Sequence, residues 1–223
     1  MLEHRTECEL LRVCANQRPT EVGAALIRRL VSGETDWNYV SNAAETHRLI
    51  PLLYRNLTDT CEHSVPENIM RRFRQAYISN AAHNLRLTGE LLRLLAILER
   101  EGIEVVPFKG PVLAELLFQN IALRQFGDLD ILIKPRDVKR AKQLLLDDGY
   151  EPEFVLTGRI EAEYIRSEHA FQFQKPGSGF VIELHWRFGA RDQVFPVDPK
   201  DIWTRLQRCN FQGREIPTLA PED

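Results

Sequence analysis

The sequence predicts an α+β fold, a small mixed α/β sheet core preceded by a helical region. Three observations predict it. Over the first hundred residues, apolar side chains recur at helical spacing. At Gly102 the pattern changes to short β-branched runs bounded by turn residues. From there the order is strand, helix, strand, helix and then an antiparallel hairpin, which a small mixed sheet accommodates. The organisation expected is therefore a helical N-terminal region over residues 1–101 and a core over residues 102–223.

Taken in order, residues 7–16 and 20–31 have helical periodicity, the second through Val22, Leu26, Ile27 and Leu30, with Thr20 where an N-cap belongs. Asp36 is placed to cap a helix through Trp37, Val40 and Ala44 towards Leu49. Pro66 opens a long helix from Glu67 to about Arg100, with Leu85, Leu91, Leu92, Leu95 and Leu98 as its apolar face and Gly102 as its stop. Residues 103–108 form the first strand, Lys109-Gly110-Pro111 a turn, and Pro111 is suited to the first position of a helix reaching Phe118. A loop from Gln119 to Gly127 carries Arg124. The next strand is Asp128 to Ile133, and Pro135 ends it. An amphipathic helix from Arg136 to Asp148 is closed by Gly149. Strands at His169–Gln174 and Phe180–Phe188 are joined by Pro176-Gly177-Ser178-Gly179, a hairpin signal. A short helix from Asp198 to Leu206 and a hairpin around Gln212-Gly213 complete the chain. There are no internal repeats and no low-complexity tract.

Composition narrows the function classes. The 223 residues are 43% hydrophobic, enough to bury a real core. A net charge of −3 gives no strong nucleic-acid footprint. Cys8, Cys14, Cys61 and Cys209 have neither C-x-x-C spacing nor a nearby histidine that completes a zinc pattern, and are expected as reduced thiols. No apolar window approaches a membrane span, so a soluble, cytoplasmic protein is expected.

The chemistry centres on Asp128 and Asp130. Residues i and i+2 of a strand share a face, and two carboxylates opening an apolar strand repel each other and are costly to desolvate. A hard divalent ion between them removes that cost. Glu183 is a third acid within an apolar strand, sharing a face with Val181 and His185. Should that strand pair beside the Asp128 strand, three acids converge, as a two-metal phosphoryl-transfer site needs. Phe108-Lys109-Gly110 ends a strand in a glycine at a helix start, where backbone N–H groups approach phosphate. Lys109 adds a positive charge, and Arg124 is placed to reach a phosphate or to brace the acids. Blander readings exist for each residue. Asp128 and Asp130 also suit a solvent-exposed pair or a structural calcium site, and Glu183 a salt bridge to Arg187. Lys109 also suits a solvated turn, and Arg124 an ion pair with Asp128. His185 is read as a packed histidine rather than a metal ligand.

The runs Phe108–Phe118, Leu123–Ile133, Asp148–Tyr150 and Ile182–Trp186, in that order and spacing, resemble the bacterial uncharacterised nucleotidyltransferase family of the polymerase-beta-like superfamily. The resemblance covers residues 40–223. It implies a polymerase-beta-like core, two Mg²⁺ ions (or Mn²⁺), an NTP donor such as ATP, and release of pyrophosphate. It places the superfamily's paired carboxylates at Asp128 and Asp130 and its third acid at Glu183, so that these three are the expected metal ligands. Lys109 and Gly110 stand where the superfamily usually has Gly-Ser, and a further helical segment is expected after Leu219. The reading that follows is transfer of an NMP group to an unidentified hydroxyl acceptor on a small molecule, a protein or an RNA end. Lys109, Gly110 and Arg124 hold the nucleotide. The rival is a catalytically inactive nucleotide- and metal-binding module that serves a partner protein. A third reading has no ligand and an ion-paired Asp128–Arg124 turn.

Overall fold

The structure is a computed structural model that describes residues 4–189 and 199–220. The chain packs as two compact units. The first comprises the described residues up to Leu85 together with Leu117–Gln125, and the second comprises Arg86–Leu116 and the described residues from Phe126 on.

The first unit is helical: α1 (Arg5–Cys14), α2 (Glu21–Val31), α3 (Trp37–Thr46), α4 (Ile50–Cys61) and the opening part of α5 (Glu67–Arg100). Its caps are local and legible. Thr20 Oγ1 accepts from the Gly23 N–H, and Asp36 Oδ1 accepts from the N–H groups of Asn38 and Tyr39. Leu10, Ile27, Val40, Leu53, Leu57 and Phe73 are fully buried and form its core. Asn80 and Asn84 of α5 donate to the carbonyls of Ala122 and Arg124, which fixes the 121–124 turn to this unit.

The second unit contains the rest of α5, β1 (Val105–Pro107), most of α6 (Gly110–Phe118), β2 (Leu129–Ile133), α7 (Val138–Asp147), β3 (Glu151–Pro152), α8 (Gly158–Ser167), β4 (Ala170–Lys175), β5 (Phe180–His185), α9 (Pro199–Arg205), β6 (Gln207–Phe211) and β7 (Arg214–Thr218). Five strands form a mixed sheet in the order β1-β2-β5-β4-β3, and β6 and β7 form a separate antiparallel pair. The β2–β5 pair is parallel, and its neighbours β1–β2 and β4–β5 are antiparallel.

Strand alternation gives the sheet two unlike faces. Leu129, Ile131, Ile133, Ile182, Leu184, Phe171 and Phe173 point into the main core, where Leu91 and Leu95 of α5 and Ala141 and Leu145 of α7 meet them. The other face carries Asp130, Leu132, Glu183 and His185. Among the described residues, a small apolar cluster of Val106, Leu132 and Ile202 lies on it, with Phe108, Phe188 and Trp203 against it.

Several elements differ from the sequence expectation. Residues 50–61 form α4, and residues 151–168 supply β3 and α8, none of which the sequence pattern singled out. β2 begins at Leu129, one residue after Asp128, and β5 stops at His185 rather than Phe188. The start of the expected helix at Asp198 and the segment expected after the C-terminal hairpin lie outside the described residues. Among the described residues no helix is long and apolar enough to cross a membrane, and Cys8, Cys14, Cys61 and Cys209 are free thiols.

Candidate active site

The parallel register of β2 and β5 builds the site. It sets Asp130 directly beside Glu183 and Leu132 beside His185. All four side chains stand on the sheet's less covered face, because the intervening residues Ile131 and Leu184 turn to the core. Two strands distant in sequence thus bring together an aspartate, a glutamate and a histidine. Asp130, Glu183 and His185 each offer one ligand atom, and these atoms all lie within 4.8 Å of one another.

His185 joins the acids. Its Nε2 is 3.2 Å from Asp130 Oδ1 and 3.1 Å from Glu183 Oε2. Phe108 packs edge-on to the imidazole with ring centroids 5.1 Å apart, and Phe188 packs in turn on Phe108 at 5.4 Å. His185 Nδ1 is buried and has no hydrogen-bond partner among the described residues.

Asp130 is the most enclosed member, with its side chain 2% exposed. Lys109 Nζ donates to its Oδ1 at 2.8 Å. Burial by itself raises the Asp130 pKa, but the hydrogen bonds from His185 and Lys109 and their charge outweigh it, and the carboxyl titrates below the ordinary aspartate range. The carboxylate is therefore ionised at neutral pH. Glu183 is half-buried beside it.

The Lys109–Gly110 turn reaches this place because β1 runs antiparallel to β2. The Phe108 N–H donates to the Asp130 carbonyl, 3.3 Å away, and α6 begins two residues later. Gly110 has φ +49°, and a Cβ there would lie 3.1 Å from the Asp128 carbonyl oxygen. Glycine suits a turn that lies this close to Asp128, where a Cβ would press on the carbonyl oxygen. Asp128 is half-buried and directly precedes β2. Arg124 belongs to the helical unit, with its carbonyl held by Asn80 and Asn84.

A cavity of about 530 Å³ is lined by Ile103, Val105, Trp203, Arg208 and Arg214, away from these residues. Its size does not make it the site, since it holds none of the Asp130 cluster and the converging ionisable groups lie elsewhere.

Residues 33–223 match the family described as uncharacterised nucleotidyltransferase, which is most of the chain. The chain belongs to that family. No curated protein matches it in sequence. Among solved structures, the lincosamide antibiotic adenylyltransferase LnuA, solved with lincomycin bound, is similar at 19% identity and a TM-score of 0.41, over 60% of this chain and 80% of that one. A Thermotoga maritima protein provisionally classed as a nucleotidyltransferase is similar at 16% identity and a TM-score of 0.40, over 59% of this chain and 76% of that one. An antigenic nucleotidyltransferase-like protein from Paracoccidioides brasiliensis is similar at 21% identity and a TM-score of 0.35, over 61% of each chain.

Within this member of the family, the sequence-predicted residues Lys109, Gly110, Asp130 and Glu183 fall in one unit and about one turn and two adjacent strands. The residue that the sequence reading set aside is His185. The signal for it was present: it stands two residues after Glu183 and shares its face.

Proposed function

We propose that this chain is a divalent-metal-dependent nucleotidyltransferase that moves an NMP group from an NTP to a hydroxyl acceptor and releases pyrophosphate. The observation that carries the reading is the convergence of Asp130, Glu183 and His185 beside the Lys109–Gly110 turn. The donor set fits a divalent ion. The Asp130 carboxylate is ionised and enclosed, and the carboxylate and imidazole atoms around it offer lone pairs within one ion's reach. Asp128 and Asp130 are assigned as the paired carboxylates and Glu183 as the third acid. A bound ion would polarise the acceptor hydroxyl and neutralise charge on the triphosphate.

The chain's own residues do the rest. Lys109 and the N-terminus of α6 at Gly110 face the triphosphate with positive charge. The acceptor oxygen attacks the α-phosphorus, and the bond from that phosphorus to the bridging oxygen breaks. Pyrophosphate leaves with the electron pair, and Glu183 takes the hydroxyl proton. The four free thiols fit a reducing, cytoplasmic setting.

The test is incubation with each α-labelled NTP and Mg²⁺ or Mn²⁺, with an Asp128→Asn/Asp130→Asn double variant as control. Label transferred to an added acceptor or to the protein, with pyrophosphate released and both lost in the variant, supports the enzyme. Metal-dependent NTP binding without transfer favours the inactive binding module. Neither binding nor transfer overturns the reading of the site.

A further inference from the structure

We infer that Asp130, Glu183 and His185 form a metal site with a nitrogen ligand, and that it takes Mn²⁺ in preference to Mg²⁺. The inference rests on the reading of this face as a metal-dependent site, and it adds the identity of one donor and the class of ion.

The geometry around His185 does not suit a histidine that merely fills the core. Its side chain is 6% exposed, so both ring nitrogens need partners inside the protein. Nε2 faces two carboxylate oxygens at nearly equal distances, so a single N–H would be shared between them. Nδ1 is buried without a partner among the described residues, whichever nitrogen carries the proton. A structural histidine settled by its hydrogen bonds would not leave Nε2 between two competing acceptors. A histidine whose Nε2 lone pair is aimed at the same point as two carboxylate oxygens accounts for that placement.

Phe108 and Phe188 limit how the ring can turn, and β5 sets its position in register with β2. The imidazole is therefore held against the carboxylates and does not swing into solvent.

The chemistry of the donors then selects the ion. Mg²⁺ is hard, takes oxygen ligands and keeps its waters. Imidazole is a better ligand for first-row transition ions than for Mg²⁺, and Mn²⁺, at the hard end of that series, would still take carboxylate and phosphate oxygens. Zn²⁺ would bind such donors more strongly but favours a closed tetrahedral set, which leaves less room for a triphosphate.

The experiment uses the full chain with Mn²⁺ alone and no nucleotide. Electron paramagnetic resonance follows Mn²⁺ binding and its displacement by Mg²⁺, and electron spin-echo modulation reads nitrogen coupled to the bound ion. Expected are nitrogen coupling from one imidazole in the wild-type protein and a stronger hold on Mn²⁺ than on Mg²⁺. His185→Gln should abolish the coupling and weaken Mn²⁺ binding by about tenfold or more. The same variant should leave Mg²⁺ affinity nearly unchanged. The wild-type spectrum stands without the variant, should the variant not fold. Bound Mn²⁺ with no nitrogen coupling, or equal affinities for the two ions, overturns the inference while the nucleotidyltransferase reading survives through its transfer assay. No ion binding at all overturns both.

Discussion

Asp130 combines near-complete burial with a carboxyl that titrates low, and that combination needs cations held on it. The Lys109 ammonium supplies one such charge, and the His185 ring lies within hydrogen-bond distance of the same oxygen. On the proposed function Lys109 has two tasks that compete: balancing Asp130 and facing a triphosphate. Replacing it separates them. Lys109→Met should raise the protein's affinity for Mn²⁺ in the absence of nucleotide, since the ion no longer competes with the ammonium. The same variant should weaken NTP binding, and isothermal titration with each ligand reads both. A fall in both affinities would mean that Lys109 serves the ion site rather than opposing it. Gly110 is the second residue with a sharp expectation. Its positive φ alone would cost alanine about 1–2 kcal/mol, and the methyl would press on the Asp128 carbonyl. Gly110→Ala should therefore lower stability by about that much in urea unfolding and reduce transfer at least as strongly. Unchanged transfer would show that the turn tolerates displacement. At this scale the sequence pattern marks the acids and does not mark the imidazole. A carboxylate in an apolar strand is conspicuous because its desolvation is costly, whereas a histidine in the same strand is an ordinary core residue until its neighbours are known.

Among the elements, the end of α7 and the start of β3 are tied to α5 by a half-buried ionic cluster. Arg93 of α5 donates to Glu90 on its own helix and, at 2.7 Å through Nη1, to Asp148 just after α7. Lys175 at the end of β4 donates to Asp148 at 2.9 Å, and the Tyr150 hydroxyl donates to Glu90. The Arg93 hydrogen bond is the main reason that Asp148 titrates below the ordinary value of 3.8, with Lys175 adding to it and burial opposing. For Glu90, burial raises the pKa, and the bonds from Arg93 and Tyr150 more than offset it. The sign follows from these depressed values. The cluster's contribution is complete above the unfolded-state carboxyl values and is lost as pH falls through the lower folded-state ones. Asp148→Asn should cost about 1 kcal/mol near neutral pH, since Arg93 and Lys175 each lose one carboxylate while Glu90 stays beside both. It should also flatten the acid limb of the stability curve, measured as urea midpoints from pH 5 down to about 2. Parallel curves for the variant and the wild type would remove Asp148 from the acid response.

Legibility varied among these elements for physical reasons. α2, α3 and α5 announced themselves through caps and period, and the β4–β5 and β6–β7 hairpins through their glycine turns. α4 did not, because Pro51 near its start reads as a breaker although the first turn of a helix tolerates it. α8 has no buried residue and so no apolar stripe strong enough to mark it. β3 is only two residues long and exists through its pairing with β4. The adjacency of β2 and β5, on which the candidate site depends, is a tertiary pairing that no local pattern encodes.

For the whole molecule, the two units have separate cores, and the Asp130 cluster draws every member from the second. The sequence pattern changes at Gly102 because the period changes there. Packing instead divides the chain within α5, at Leu85, and again around the short return of Leu117–Gln125. This partition makes a prediction about where damage should be felt. Leu57 is fully buried in the first unit's core, and Leu57→Ala should cost about 2–5 kcal/mol there. Ile131 is equally buried in the second unit and sits between Asp130 and Leu132 on β2, so Ile131→Ala removes similar packing directly behind the cluster. At a temperature where both variants remain folded, Mn²⁺ affinity should stay within about twofold of wild type for Leu57→Ala and fall by about tenfold or more for Ile131→Ala, the scale on which groups supporting a ligand matter. Titration of Mn²⁺ into each variant, alongside circular dichroism to confirm folding, decides the matter. Equal losses in the two would mean that the helical unit shapes the site as much as the sheet does, and the cluster would then not be the property of one unit.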